Sequence, residues 1–241
     1  MYHKHLFTLH WMLLAAGMII FAFVIWQHGL FHQLFHSDVS RLSSIILLVF
    51  LIASFHAAFH LFRFSRDTEA VRQQDEKLKR IPLTERFRIL SSGQGFPSRL
   101  KKQLSAIASR YESMNSAASL ENTMLMQMLD NQIKAPVRLG WLLSDLLIKL
   151  GLLGTVIGFI LMLGAISDGG SVDSSNIDVL LTDMGSGMRV ALFTTLTGLT
   201  TGTLLGFQYF IVERSADVLM TRVTELVELR LTNNIGDPGS E

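Results

Sequence analysis

The sequence predicts an all-α integral membrane protein with four transmembrane helices and long cytoplasmic helical extensions. Three observations lead there. Hydrophobic residues make up 49% of the 241 and charged residues only 17%, against about a quarter charged in a soluble domain. The apolar residues gather into four stretches, about Leu6–Gln27, Leu42–Phe62, Leu139–Ile166 and Met188–Val212, each near the roughly 17–25 residues that a helix needs to cross a bilayer. Basic residues are distributed very unevenly between the connecting segments.

The first stretch follows Lys4 and runs between Trp11 and Trp26, whose amphipathic rings suit the headgroup region. Gln27-His28-Gly29 offers no small-residue cleavage site, so the run reads as a retained anchor rather than a signal peptide. With the second stretch it forms a segment 1–63. The segment 64–138 is polar. From Arg63 to Arg138 there are fourteen Lys/Arg, whereas Gly29–Arg41 has one and Ser167–Gly187 none. The positive-inside rule therefore places 64–138 and both termini in the cytoplasm.

Within that segment Arg66–Arg80 continues the second span as a helix that ends near Ile81-Pro82, because proline disfavours helix at the residue before it. A loop is expected at Ser91–Ser98, with Gly93, Gly95 and Pro97. From Leu100 the apolar positions Leu104, Ile107, Tyr111, Met114 and Ala118 recur every three or four residues, the mark of an amphipathic helix. Its apolar face calls for a partner, either in this chain as a helix hairpin or in a neighbouring subunit. The last two spans make up 139–212, joined by an acidic loop, 167–187, on the far side. Trp141 stands near the start of the third. Beyond Val212 the pattern Ala216, Leu219, Val223, Leu226, Leu229 carries the fourth span on as one long helix in 213–241. Gly236-Asp237-Pro238-Gly239 ends it, and the last residues are expected to form a disordered tail.

Several chemistries are excluded or left without a signal. No cysteine is present, which removes disulfides, thiolate metal sites and cysteine nucleophiles. The net charge of +1 gives no sign of nucleic-acid binding, and no phosphate-binding loop, dinucleotide fingerprint or nucleophile elbow occurs. An enzyme is not expected, nor is a cofactor.

The distinctive residues lie in the last two spans. Gly154 and Gly158 have the G-x-x-x-G spacing that lets helix backbones approach closely in lipid, and Gly198, Gly202 and Gly206 repeat the device in the fourth span. Thr194, Thr195, Thr197, Thr200, Thr201 and Thr203 crowd the same stretch. A threonine in a span ordinarily returns its hydroxyl to its own helix, yet small polar residues on successive turns also suit a helix that lines a narrow hydrated path. Between Leu150–Ile166 and Val190–Val212 the one titratable side chain is Tyr209, although proton paths at membrane depth normally use a carboxylate or histidine relay.

The two runs Gly151-Leu152-Leu153-Gly154-Thr155-Val156 and Gly187-Met188-Arg189-Val190-Ala191-Leu192-Phe193-Thr194-Thr195-Leu196-Thr197-Gly198-Leu199 resemble the signature spans of the MotA/TolQ/ExbB proton-channel family, over about Leu139 to Leu229. Four spans with a large cytoplasmic loop are similar to the MotA layout, where TolQ and ExbB have three. The resemblance implies channel-facing residues at Thr155 and Thr195, with Ala191 and Gly158 beside them on the ion path. It implies a homo-oligomeric ring, a pentamer, around a single-span partner of the MotB/TolR/ExbD type that supplies the ion-carrying aspartate. It implies a rotary stator in a bacterial inner membrane, driven by protons or by sodium. The chain departs from the TolQ/ExbB pattern at Val190, where those proteins tend to have glutamate, and has Arg189 beside it.

Other residues carry open alternatives. Asp168, Asp173, Asp178 and Asp183, repeated around a ring, form either a negative mouth that concentrates cations or a solvated polar loop. Asp145 and Lys149 form a surface i,i+4 pair or serve ion exit. All eight histidines, His3, His5, His10, His28, His32, His36, His56 and His60, fall in the first sixty residues. With His10, His56 and His60 at one membrane face, a haem-binding electron-transfer subunit is the competing reading.

Overall fold

In the computed structural model the described residues are 41–93, 95–98, 100–102, 104–106, 118–168 and 177–227. Among them every regular element is a helix: α1 (Leu42–Leu78), α2 (Leu83–Ser92), α3 (Ala118–Asp168) and α4 (Ile177–Val227). α1, α3 and α4 are long and apolar enough to cross a membrane. The first expected span, Leu6–Gln27, lies outside the described residues, as do the six histidines up to His36, the stretch with Ile107, Tyr111 and Met114, Asp173, and the tail from 228.

α1 runs through Arg66 and stops at Leu78, where Ile81-Pro82 limits it. Pro82 then opens α2, its carbonyl accepting the amides of Glu85 and Arg86. Proline suits a helix start because its missing N–H is not needed there, and Glu85 in the first turn favours the positive helix end. α2 was not anticipated from the sequence: Leu83, Phe87 and Leu90 recur at four and three, but over only ten residues. Gly93 (φ 60°) and Gly95 (φ 84°) turn the chain after it, within the expected loop.

The expected 167–187 connection differs from a plain loop. α3 extends to Asp168 and α4 begins at Ile177, so residues 177–187 are the first turns of a 51-residue helix. Asp178, Thr182, Asp183 and Ser186 are polar, but nothing in that run forbids helix, and the Thr182 and Ser186 hydroxyls donate back to the Asp178 and Asp183 carbonyls. At its other end α3 begins near Ala118 and passes through Pro136, which removes one backbone donor from the ladder.

The chain divides into two units. One holds 59–137 and 211 onward, the other 9–58 and 138–210, each in its described part. In the first, α1 buries Leu61, Phe64, Val71 and Leu78, α3 buries Leu129, Ile133 and Val137, and α4 buries Val212, Ala216, Leu219, Val223 and Leu226. Spacings of three and four place each set on one helix face. Leu100 and Leu104 are buried too, consistent with a face that turns inward within this chain. Lys134 joins α3 to α4 through Asp217 (3.0 Å) and also holds Asp130 (3.1 Å). Hydrogen bonds to Asp217 and then Asp130 push the Lys134 ammonium above the usual lysine range.

The second unit is built differently. α3 and α4 run antiparallel, with Gly140 against Tyr209, Gly151 against Gly198, Gly154 against Thr194 and Gly158 against Gly187 and Ala191. Large apolar side chains such as Leu51, Phe55, Leu152, Phe159, Leu196 and Phe210 point outward.

Candidate functional site

The α3–α4 contact is a backbone-to-backbone seam. A Cβ on Gly198 would stand 2.6 Å from the Gly151 Cα and 2.8 Å from the Leu147 carbonyl, and one on Gly158 would stand 2.6 Å from the Ala191 amide. Real side chains do not pack at such distances, so glycine is required at both positions. Gly202 meets the Ser144 carbonyl and Ile148, and the Ser144 hydroxyl donates to the Gly202 carbonyl at 2.7 Å. Gly206 is looser: a Cβ there would stand 3.3 Å from the Ser144 hydroxyl. Gly151, Ser144 and Gly140 belong to this seam although the sequence reading did not single them out for packing. Their spacing of seven and four along α3 is the signal that could have found them.

This close approach sorts the threonines into two groups. Thr194, Thr197 and Thr201 are buried and donate to the carbonyls of Val190, Phe193 and Thr197, four residues back. Each thereby satisfies its hydroxyl within α4. Thr155 and Thr195 are half-exposed. Thr195 crosses the seam and donates to the Gly151 carbonyl at 3.1 Å. That carbonyl also accepts the Thr155 amide in the regular ladder of α3, so both residues meet at one backbone oxygen. The Thr155 hydroxyl donates to the Leu152 carbonyl at 2.6 Å. Ala191 lies one turn away against Gly158.

The two hydroxyls have spent their hydrogens on carbonyls, which leaves oxygen lone pairs as the free polar groups at this edge. Such a pair receives a donor or a cation: a protonated carboxyl, a hydronium ion or sodium. To bind an ionised carboxylate, a hydroxyl would have to turn away from its carbonyl. Among the described residues of 150–164 and 190–210, Tyr209 is the one side chain able to titrate.

The remaining site residues stand apart from this edge. Asp145 and Lys149 pair at 2.6 Å on an exposed face of α3. Asp178 and Asp183 are exposed on the first turns of α4, and Asp168 closes α3. Val190 is buried and Arg189 exposed. His56 Nδ1 lies 2.7 Å from the Tyr209 hydroxyl, a contact absent from the sequence reading. Among the described residues no group of three or more His, Asp or Glu is placed to hold a metal ion.

The family profile described as the MotA/TolQ/ExbB proton channel family matches residues 100–225, slightly over half of the chain. No curated protein and no solved structure matches.

Proposed function

Because the chain belongs to the MotA/TolQ/ExbB proton channel family, we propose that it is the channel and stator subunit of an ion-driven rotary motor in a bacterial inner membrane. The family consists of channel-type membrane subunits rather than enzymes, its members work with partner proteins in membrane complexes, and this chain is a multi-pass membrane protein. In the proposed assembly five copies surround a single-span partner whose aspartate carries the ion. The present chain supplies the surface along which that aspartate moves.

One observation supports this above the others: on one half-exposed edge the Thr195 hydroxyl donates across the seam to the Gly151 carbonyl and the Thr155 hydroxyl donates to the Leu152 carbonyl, so both retain acceptor lone pairs. An edge of that kind matches a carboxyl that has just taken up a proton, and it matches sodium equally. The spans hold no carboxylate in this stretch, so the titrating group comes from the partner. A proton reaching the partner's aspartate turns it into a donor that the threonines accept. Its loss toward the cytoplasm returns a carboxylate that the edge no longer holds, and one ring step follows. Asp178 and Asp183, with Asp168 and Asp173, concentrate cations at the entry side, and Asp145 with Lys149 lies toward the exit side.

Thr195→Leu tests the reading in cells and in membranes. It should abolish ion-driven output while the ring still purifies with its partner at unequal copy numbers. Unchanged output would remove the proposal.

A further inference from the structure

The Tyr209 hydroxyl is poised between two partners on α1, the His56 ring nitrogen and the Ala53 carbonyl. His56 Nδ1 is 2.7 Å away and the Ala53 carbonyl 3.3 Å away. Its ring lies in the space that a Cβ on Gly140 would occupy, so Tyr209 is fixed against α3 while its hydroxyl serves α1. Tyr209 is fully buried and His56 partly exposed. The joint thus links all three described apolar helices within one unit, on the side of α3 opposite its Asp168 end and away from the Thr155–Thr195 edge.

With neutral His56 bearing its hydrogen on Nε2, the Tyr209 hydroxyl donates to Nδ1. When Nδ1 takes up a proton, its N–H donates to the Tyr209 oxygen, and the hydroxyl hydrogen turns to the Ala53 carbonyl. No covalent bond to carbon or oxygen changes, one proton is gained, and the Tyr209 hydroxyl and His56 Nδ1 keep each other as partners in both states. We propose that His56 and Tyr209 form a proton-binding site of this chain, separate from the threonine edge, through which pH on the expected cytoplasmic side acts on the packing of α1 against α3 and α4. The nearest titratable or charged groups along each element are His60 on α1, Arg138 and Asp145 on α3, and Glu213 and Arg214 beyond Tyr209 on α4. Imidazole is the one side chain here whose unperturbed titration falls between about pH 5 and 8.

The inference needs the fold of this unit and not the motor reading, so its test avoids motor output. The full chain, with 15N-labelled histidine in detergent micelles, is titrated by NMR, and the His56 signal is identified by its loss in His56→Gln. Tyr209→Phe keeps the ring in its place against Gly140 and removes the hydroxyl. The expected result is a His56 signal that titrates between about pH 5 and 8 and whose midpoint moves by at least about half a unit in Tyr209→Phe. A melting temperature that varies with pH across the same range should lose that variation in His56→Gln, whose amide replaces the acceptor without titrating. A His56 signal that stays constant over this range overturns the proposal, as does an unmoved midpoint in Tyr209→Phe. A pH-dependence of melting that survives His56→Gln overturns the coupling to packing.

Discussion

Along one buried stripe of α4 the packing chemistry changes between residues 190–209 and residues 212–227. The first part presents Val190, Thr194, Gly198, Thr201, Gly202 and Leu205, mostly small or hydroxylated. The second presents Val212, Ala216, Leu219, Val223 and Leu226, mostly aliphatic. α3 changes in the same sense, from Leu129, Ile133 and Val137 to Gly140, Ser144, Gly151, Gly154 and Gly158. The two regions differ in surroundings. In 150–164 and 192–210 the outward residues are mostly apolar, Leu, Ile and Phe among them, as in a segment facing lipid, whereas outward residues in the other unit include Lys77, Lys79, Lys101, Asp217 and Arg222. In lipid, aliphatic side chains gain nothing by leaving the tails, so close backbone approach and interhelical hydrogen bonds hold helices together. In water, burial of aliphatic surface does so. One pair of helices therefore uses two packing rules.

Substitutions exchange the rules. Leu219→Ala, in the aliphatic region, should have the largest effect, about 2–5 kcal/mol, because it removes buried methyl groups and leaves a cavity; chemical unfolding of the full chain in detergent measures it. Gly198→Ala follows, at about 1–3 kcal/mol from overpacking, since the added Cβ meets the Gly151 Cα and the Leu147 carbonyl. The same change at Gly185, where nothing lies within 4 Å, should leave stability unaltered, and a comparable loss at both positions would show that the seam is not what glycine serves. Ser144→Ala deletes the hydrogen bond to Gly202 and should lower stability by about 0.6 kcal/mol, the average for such bonds in membranes; steric-trap unfolding resolves it.

A small change is also expected at Lys134→Met. Its pairs with Asp217 and Asp130 are partly exposed, and pairs of that kind contribute at most about 1 kcal/mol. The sign with pH follows from the raised Lys134 value. The contribution is complete below the ordinary lysine range of about 10.4 and is lost as pH rises through the elevated folded value. Stability curves of wild type and Lys134→Met should converge above that range and also in high salt.

The candidate site was legible in part. Thr155, Thr195, Gly154, Gly158, Gly198 and Gly202 stand out in the sequence because hydroxyls and glycines are conspicuous within apolar runs. Which threonines are satisfied inside α4 was not legible. Thr194 and Thr195 are neighbours with the same side chain, yet one returns its hydroxyl to Val190 and the other crosses to Gly151. That choice depends on the rotation of α4 against α3, which the glycine seam fixes. Likewise His56 and Tyr209 are 153 positions apart, and no local pattern relates them.

What the sequence determined alone is the all-helical class, the three described apolar spans and the family, because these rest on composition, on periodicity within one helix and on contiguous motifs. The early start of α4 at Ile177 and the existence of α2 escaped it, since the first turns of α4 are polar and α2 is only ten residues long. Only the tertiary structure decided the pairing of Gly151 with Gly198, the shared carbonyl beneath Thr155 and Thr195, and the joint of Tyr209 with His56 and Gly140. Each depends on how two helices are turned and shifted against one another, and in lipid that register is set by atomic fit over the whole seam rather than by the pattern of apolar residues along either helix.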